Sequence, residues 1–272
     1  MIETVDHIII VVEDLHSAEE NYTKILGLKP VWRGAHDALG TSNVLFNFEN
    51  TYLELLSATG SGIGADLVKQ TIKEKGDSLL GLVLGTKDIN SFREIIKKSG
   101  HSLSELSDGE GKNEQNEQRE WLLQFLPNEL TRGIFSFVIE HKSEGLPLFT
   151  KDKSTVSRLE QVVVKTNDIN GFIKVYRDIF GIRLALDKFV EAWKKRILFF
   201  RLNKTTIEVI EEKNDEDTPK DSLWGLAWGV RDISKTRKRL VANNVEVSDI
   251  RSGVKEGTLV ATISSHTNNV PT

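Results

Sequence analysis

Two pairs of residues sit at matched positions where side chains of their type could do chemistry. His7 opens the apolar run HIIIVV, and Glu54 lies inside TYLELL; Gln161 opens QVVVK, and Glu208 lies inside TTIEVI. Leu53 and Leu55 flank Glu54, and Ile207 and Val209 flank Glu208, so each carboxylate is carried on a strand-like segment. A carboxylate held there must be solvated, paired or coordinated, because burying it bare costs several kcal/mol. An imidazole and carboxylates brought together can bind a divalent ion or move a proton. A solvent-facing Glu and a structural strand His remain the plain alternative. The segment RGAHDALGTSN adds His36, Thr41, Ser42 and Asn43, either as the polar rim of a pocket or as a connection in which Gly34 and Gly40 serve turn geometry. Trp32, Trp121 and Trp228 could wall a pocket or simply pack.

The elements that must position these residues repeat along the chain. VDHIIIVVEDLHSAEENYTKILGLKP from Val5 matches LEQVVVKTNDINGFIKVYRDIFGIRL from Leu159 at a constant offset of 154 (159 minus 5). Asp14 falls on Asp168, Tyr22 on Tyr176, Gly27 on Gly181, Thr51 on Thr205 and Glu54 on Glu208. A weaker pair, LLGLVLGTKDINSFREIIKKSG and SLWGLAWGVRDISKTRKRLVANN, sets Gly81 on Gly225 and Asp88 on Asp232. The chain thus reads as four units, A-B-C-D, with A like C and B like D. Each unit opens with an apolar strand, then an Asp placed to cap a helix of about three turns, then strand-like segments, a βαβββ pattern. Leu15, Ala18, Tyr22, Ile25 and Leu26 form the apolar stripe of the first helix, and Gly27 and Gly181 are expected C-caps. The polar stretch HSLSELSDGEGKNEQNEQRE, ending at Glu120, reads as a solvated loop inserted in B. Residues 57–77 read as a Gly-rich bend and a linking helix, with 211–221 the equivalent linker. The run Arg237, Lys238, Arg239 reads as a solvated helix face.

Composition narrows the chemistry. With 272 residues and 39% hydrophobic content the chain can bury a real core, and about two domains are expected, 1–150 and 151–272. The net charge of -4 offers no footprint for nucleic acid. The absence of cysteine removes disulfides, thiolate nucleophiles and iron–sulfur clusters. No apolar run reaches the roughly 18 residues of a membrane span and no signal segment opens the chain, so a cytoplasmic location is expected. GSGIGAD lacks the strand–helix setting of a dinucleotide site.

Four βαβββ units with His or Gln on the first strand and Glu on the last resemble the vicinal oxygen chelate superfamily, the glyoxalase, bleomycin-resistance and dioxygenase group. DHIIIVVEDL, ILGL, GAHDALGTSNVLF and TYLELL look most like its glyoxalase-like branch. The resemblance implies an α+β fold of four modules forming two cupped eight-stranded mixed sheets, A paired with B and C with D. It implies metal ligands on first and last strands: His7, Glu54 and Glu140 in the first cup, and Gln161 and Glu208 as a lesser second set. Position 81 in unit B, where a further ligand would stand, is glycine. The implied ion is divalent: Zn, Ni, Mn, Co or Fe. The implied activity is a metal-dependent lyase or isomerase that moves a proton on a small oxygenated substrate. Glu54 or Glu140 would be the proton shuttle, and His36, Asn43 and Trp32 the substrate contacts. A metal-free binding or resistance protein is the alternative, and an Fe(II) ring-cleaving dioxygenase the third. The expected partner is a small molecule, with no nucleic acid or membrane, and a homodimer is compatible.

Overall fold

A computed structural model describes residues 1–148, 152–191, 193–212 and 218–272. Unit A contains β1 (Thr4–Val11), α1 (Leu15–Leu26), β2 (Trp32–His36), β3 (Thr41–Asn47) and β4 (Tyr52–Ala58). The connecting α2 (Ile63–Lys75) follows the Gly-rich bend as expected. Unit B contains β5 (Ser78–Gly85), α3 (Ile89–Lys98), β6 (Ser107–Asn113), β7 (Gln118–Phe125), the short α4 (Asn128–Thr131) and β8 (Phe137–His141). Unit C contains β9 (Val156–Thr166), α5 (Ile169–Ile173) running into a π-helical segment Lys174–Ile179, β10 (Arg183–Val190), β11 (Lys195–Leu202) and β12 (Thr205–Glu211). Unit D supplies β13 (Asp221–Val230), α6 (Ile233–Ala242), β14 (Arg251–Ser252) and β15 (Leu259–Val260).

The four capping aspartates behave alike. Asp14, Asp88, Asp168 and Asp232 each accept the backbone N–H three residues on, satisfying a donor that the first helical turn leaves free. Gly27 ends α1 at φ 69°, a left-handed position where a side chain would be strained and a Cβ would strike Arg239.

Units A and B close into one eight-stranded barrel, in the order β1-β4-β3-β2-β6-β7-β8-β5. The two first strands lie antiparallel at its centre, with Ile9 opposite Gly81, so A pairs with B. The far seam joins β2 to β6 through only two residue pairs, Gly34 with Asn113 and Ala35 with Lys112. Gly34 permits that approach, since a Cβ would lie 2.8 Å from the Lys112 carbonyl oxygen and nearer still to the Trp32 indole. C pairs with D through β9 and β13, but this sheet has five strands, ordered β10-β11-β12-β9-β13. The α+β class and the paired βαβββ units are as expected, whereas eight strands in the second sheet are not found among the described residues. The stretch expected to be a loop in B explains the difference. Much of it forms β6 and the start of β7, whereas D retains there the two-residue β14–β15 ladder and a single bridge between Val247 and Ile263. The expected boundary at 150–151 lies outside the described residues, as does much of the expected second linker.

The outward faces of the strands and the helices share one core. Ile8, Ile10, Leu53, Leu55 and Leu84 join Tyr22, Ile25 and Phe92 from the helices and Val162, Val164, Phe172 and Phe200 from unit C. Polar latches reinforce this contact between the halves. Asn50 donates to the Leu159 carbonyl (2.8 Å) and Thr205 Oγ1 (2.7 Å) and accepts from Leu159 N. Arg239, expected on a solvated face, instead donates to the Lys24, Ile25 and Ser154 carbonyls, capping the end of α1. Arg132 Nε donates to Asp221 Oδ2 at 2.7 Å, and Asp221 N donates to the Arg132 carbonyl. Removing one partner from a buried ion pair strands the other charge. Arg132→Gln is therefore expected to destabilise the protein by about 3–5 kcal/mol in urea unfolding, far more than Arg177→Gln at a fully exposed pair.

Candidate binding site inside the N-terminal barrel

The lumen is built by alternation, with one exception that matters. Strand β1 slips register against β5 between Val5 and His7, so one extra residue, Asp6, is accommodated there. Asp6 and His7 therefore both reach the interior, although strict alternation would put them on opposite faces.

His7 is buried and stacked on Tyr52, ring centroids 4.5 Å apart. Its Nδ1 donates to Asp6 Oδ1 at 2.7 Å, and its Nε2 lies 3.4 Å from Glu54 Oε2. Burial disfavours the charged ring, but the hydrogen bonds and charges of Asp6 and Glu54 outweigh it and hold the His7 pKa above its ordinary value. Burial works against ionised Glu54 too, and His7, with help from His36 and Asn43, holds it below the usual carboxylate range. Asn43 Nδ2 donates to Glu54 Oε1 at 2.7 Å and lies 3.5 Å from His36 Nε2. His36 Nδ1 contacts Thr41 Oγ1, its ring meets Trp121 edge-on, and burial lowers its pKa. From β7, Arg119 stands over the Trp32 and Tyr52 rings at 5.7 and 5.6 Å. His141 Nε2 donates to Asp6, completing a run of polar groups around the wall.

The structure brings His7, Glu54, His36, Asn43 and Trp32 together, but Glu140 does not join them. On β8 the inward residues are Phe137, Ile139 and His141, and a strand flips faces at each step. Glu140 points to the outer surface, where Oε2 accepts from Ile89 N at the start of α3 (2.8 Å) and Oε1 pairs with Lys142. Register identifies the true counterpart of Glu54. Ile10 pairs with Leu55 as Leu84 pairs with Val138, so Phe137 in B stands where Glu54 stands in A, and Gly81 stands where His7 stands. Gln161 and Glu208 are half-buried on adjacent strands, and burial raises the Glu208 pKa. Trp228 packs on Phe48 between the halves.

The donor set does not fit a divalent ion held in the manner expected. Two of the four strand positions carry glycine and phenylalanine, and both ring nitrogens of His7 already face carboxylates. Among the described residues no group of three His, Cys, Asp or Glu side chains is arranged to hold a metal. Asp6, Tyr52, Arg119 and His141 also line this candidate site, and the sequence reading missed them.

A barrel of two βαβββ units joined first strand to first strand, with a polar lumen between them, is the architecture of the glyoxalase and dioxygenase group. A model of the glyoxalase-like domain matches residues 5–180, and one of the glyoxalase/bleomycin resistance protein/dioxygenase superfamily matches residues 160–262. The chain belongs to the glyoxalase-like family. No curated protein sequence matches it. A mutant of 4-hydroxymandelate synthase from Streptomyces coelicolor is similar in structure over 99% of this chain and 90% of its own, at 15% identity and a TM-score of 0.64. A hypothetical protein from Staphylococcus aureus is similar over 79% of this chain and 87% of its own, at 18% identity and a TM-score of 0.58. Both likenesses are of fold. No helix among the described residues is long and apolar enough to cross a membrane.

The histidines set a pH dependence. A raised His7 pKa contributes stability that is complete below the unfolded value of about 6.5 and lost as pH rises through the folded value. The lowered His36 pKa acts only below about 6.5, so the two windows do not overlap. Urea unfolding is expected to show stability falling from neutral into mildly alkaline pH, and His7→Gln is expected to flatten that fall. An equal slope in the variant would contradict the assignment.

Proposed function

We propose that this protein binds a small oxygenated molecule inside its N-terminal barrel and holds it through protein groups rather than through a metal, as a binding or resistance-type member of its superfamily. One observation carries the reading: Asn43 Oδ1 is a buried acceptor with no partner, beside Glu54 and His36. A bare buried polar atom costs about 1–3 kcal/mol, which a ligand O–H or N–H would recover. The aromatic side of the lumen, Trp32, Tyr52 and Trp121, suits the carbon skeleton of such a ligand.

A second reading, proton transfer of the lyase or isomerase type, is favoured by the Asp6, His7, Glu54 relay. Glu54 is kept ionised at neutral pH, so it could accept a proton from a carbon next to a carbonyl, with His7 holding the carboxylate in place. The carboxylate assigned to this step is Glu54 alone. Glu140, engaged at the start of α3, has no part in it.

Thermal unfolding against small hydroxy acids, diols and amides tests the first reading. At least one is expected to raise Tm, by an amount worth about 2.7 kcal/mol at a hundred times its Kd, and EDTA is expected to leave the shift unchanged. A stoichiometric divalent ion that is lost on Glu54→Ala would overturn it. Exchange of a ligand C–H for solvent deuterium, abolished by Glu54→Gln, is the expected mark of the second.

A further inference from the structure

Two arginines in this chain are equally withdrawn from water and differently served. Arg132, 7% exposed, has Asp221 at 2.7 Å, Asp168 at 3.2 Å and the Asp168 carbonyl at 2.9 Å. Arg119, 8% exposed on the barrel's inner wall, has no ion pair among the described residues. Its Nε has no partner, and its single hydrogen bond is a long one, from Nη2 to His141 Nδ1 at 3.5 Å. The Trp32 and Tyr52 faces attract the cation but offer no acceptors in the plane of its N–H groups. The nearest lumen carboxylates are already committed. Asp6 accepts from His7 and His141, and Glu54 faces His7 and accepts from Asn43. A guanidinium fork matches a carboxylate in geometry as well as charge.

We infer that Arg119 is an anion-recognition residue and that the barrel's ligand is a small organic carboxylate bearing a hydroxyl or N–H group. Its carboxylate takes the free N–H groups of Arg119, and its donor takes the Oδ1 of Asn43, a residue 4% exposed whose carbonyl oxygen is equally unpartnered. This rests on the barrel being the ligand site. It adds the charge of the ligand and the residue that reads it.

Matched probes separate the two ideas. Thermal unfolding of the full chain is followed with lactate and salicylate, with their neutral amides lactamide and salicylamide, and with propionate and benzoate, which lack the hydroxyl. The hydroxy acids are expected to raise Tm most, the simple acids less, and the amides not at all. Arg119→Gln is expected to weaken hydroxy-acid binding about 10- to 100-fold, with Arg119→Lys intermediate. The unliganded Tm of Arg119→Gln is expected to stay level or rise, because the variant removes a charge that lacks a counter-ion, whereas Arg132→Gln is expected to lower it. Amides that stabilise as well as the acids would overturn the anion inference and leave the barrel-binding reading standing. No shift with any acid, or a fall in unliganded Tm for Arg119→Gln matching that of Arg132→Gln, would also overturn it.

Discussion

An ionised group taken out of water must find its counter-charge inside, and the N-terminal barrel is arranged around that requirement. Four such groups line the lumen: Asp6, His7, Glu54 and Arg119. Three of them serve one another, with the imidazole between two carboxylates, and the hydrogen bonds hold each pKa away from neutralisation despite burial. The wall accommodates them because β1 carries one residue more than its neighbour needs. Without that extra residue Asp6 would face the apolar core that Ile8 and Ile10 share with the helices.

Much of this fold was legible in the sequence because it rests on patterns that repeat. The duplication at 154 residues, the four aspartate caps and the left-handed glycine after α1 are local signals, and each has its counterpart in the structure. The candidate site was legible where the duplication marked it, at His7 and Glu54. Three kinds of feature escaped. A bulge leaves no sequence mark, so Asp6 was hidden beside His7. In SFVIEHK, alternation fixes which residues share a face but not which face is inside, so the resemblance that implied Glu140 had no means of telling that it faces out while His141 faces in. Arg119 was lost for a third reason: the polar, Gly-containing stretch before it looks solvated, whereas Gly109 and Gly111 leave room for the Trp121 ring inside the barrel.

The two halves show what a duplicated unit can and cannot lose. Unit B keeps long second and third strands, and with them the barrel closes and its inward side chains are buried enough to shift their pKa values. Unit D, among the described residues, keeps its first strand, its capped helix and little more of the sheet, and half-buried Glu208 is shifted by burial alone. The same carboxylate at the same register therefore has a different chemical character in each copy, set by the strands opposite it.

The shared core also bears on how the chain melts. Tyr22 from the first helix gives its hydroxyl to the carbonyl of Thr267, near the other end of the chain, and Asn268 Nδ2 donates to Asp77 Oδ2. Contacts of such wide sequence separation, joined by the Asn50 and Arg132 latches, tie the free energy of each copy to that of the other. A repeat seen in sequence is a statement about ancestry, while contacts of this kind are what make the two copies expected to unfold together.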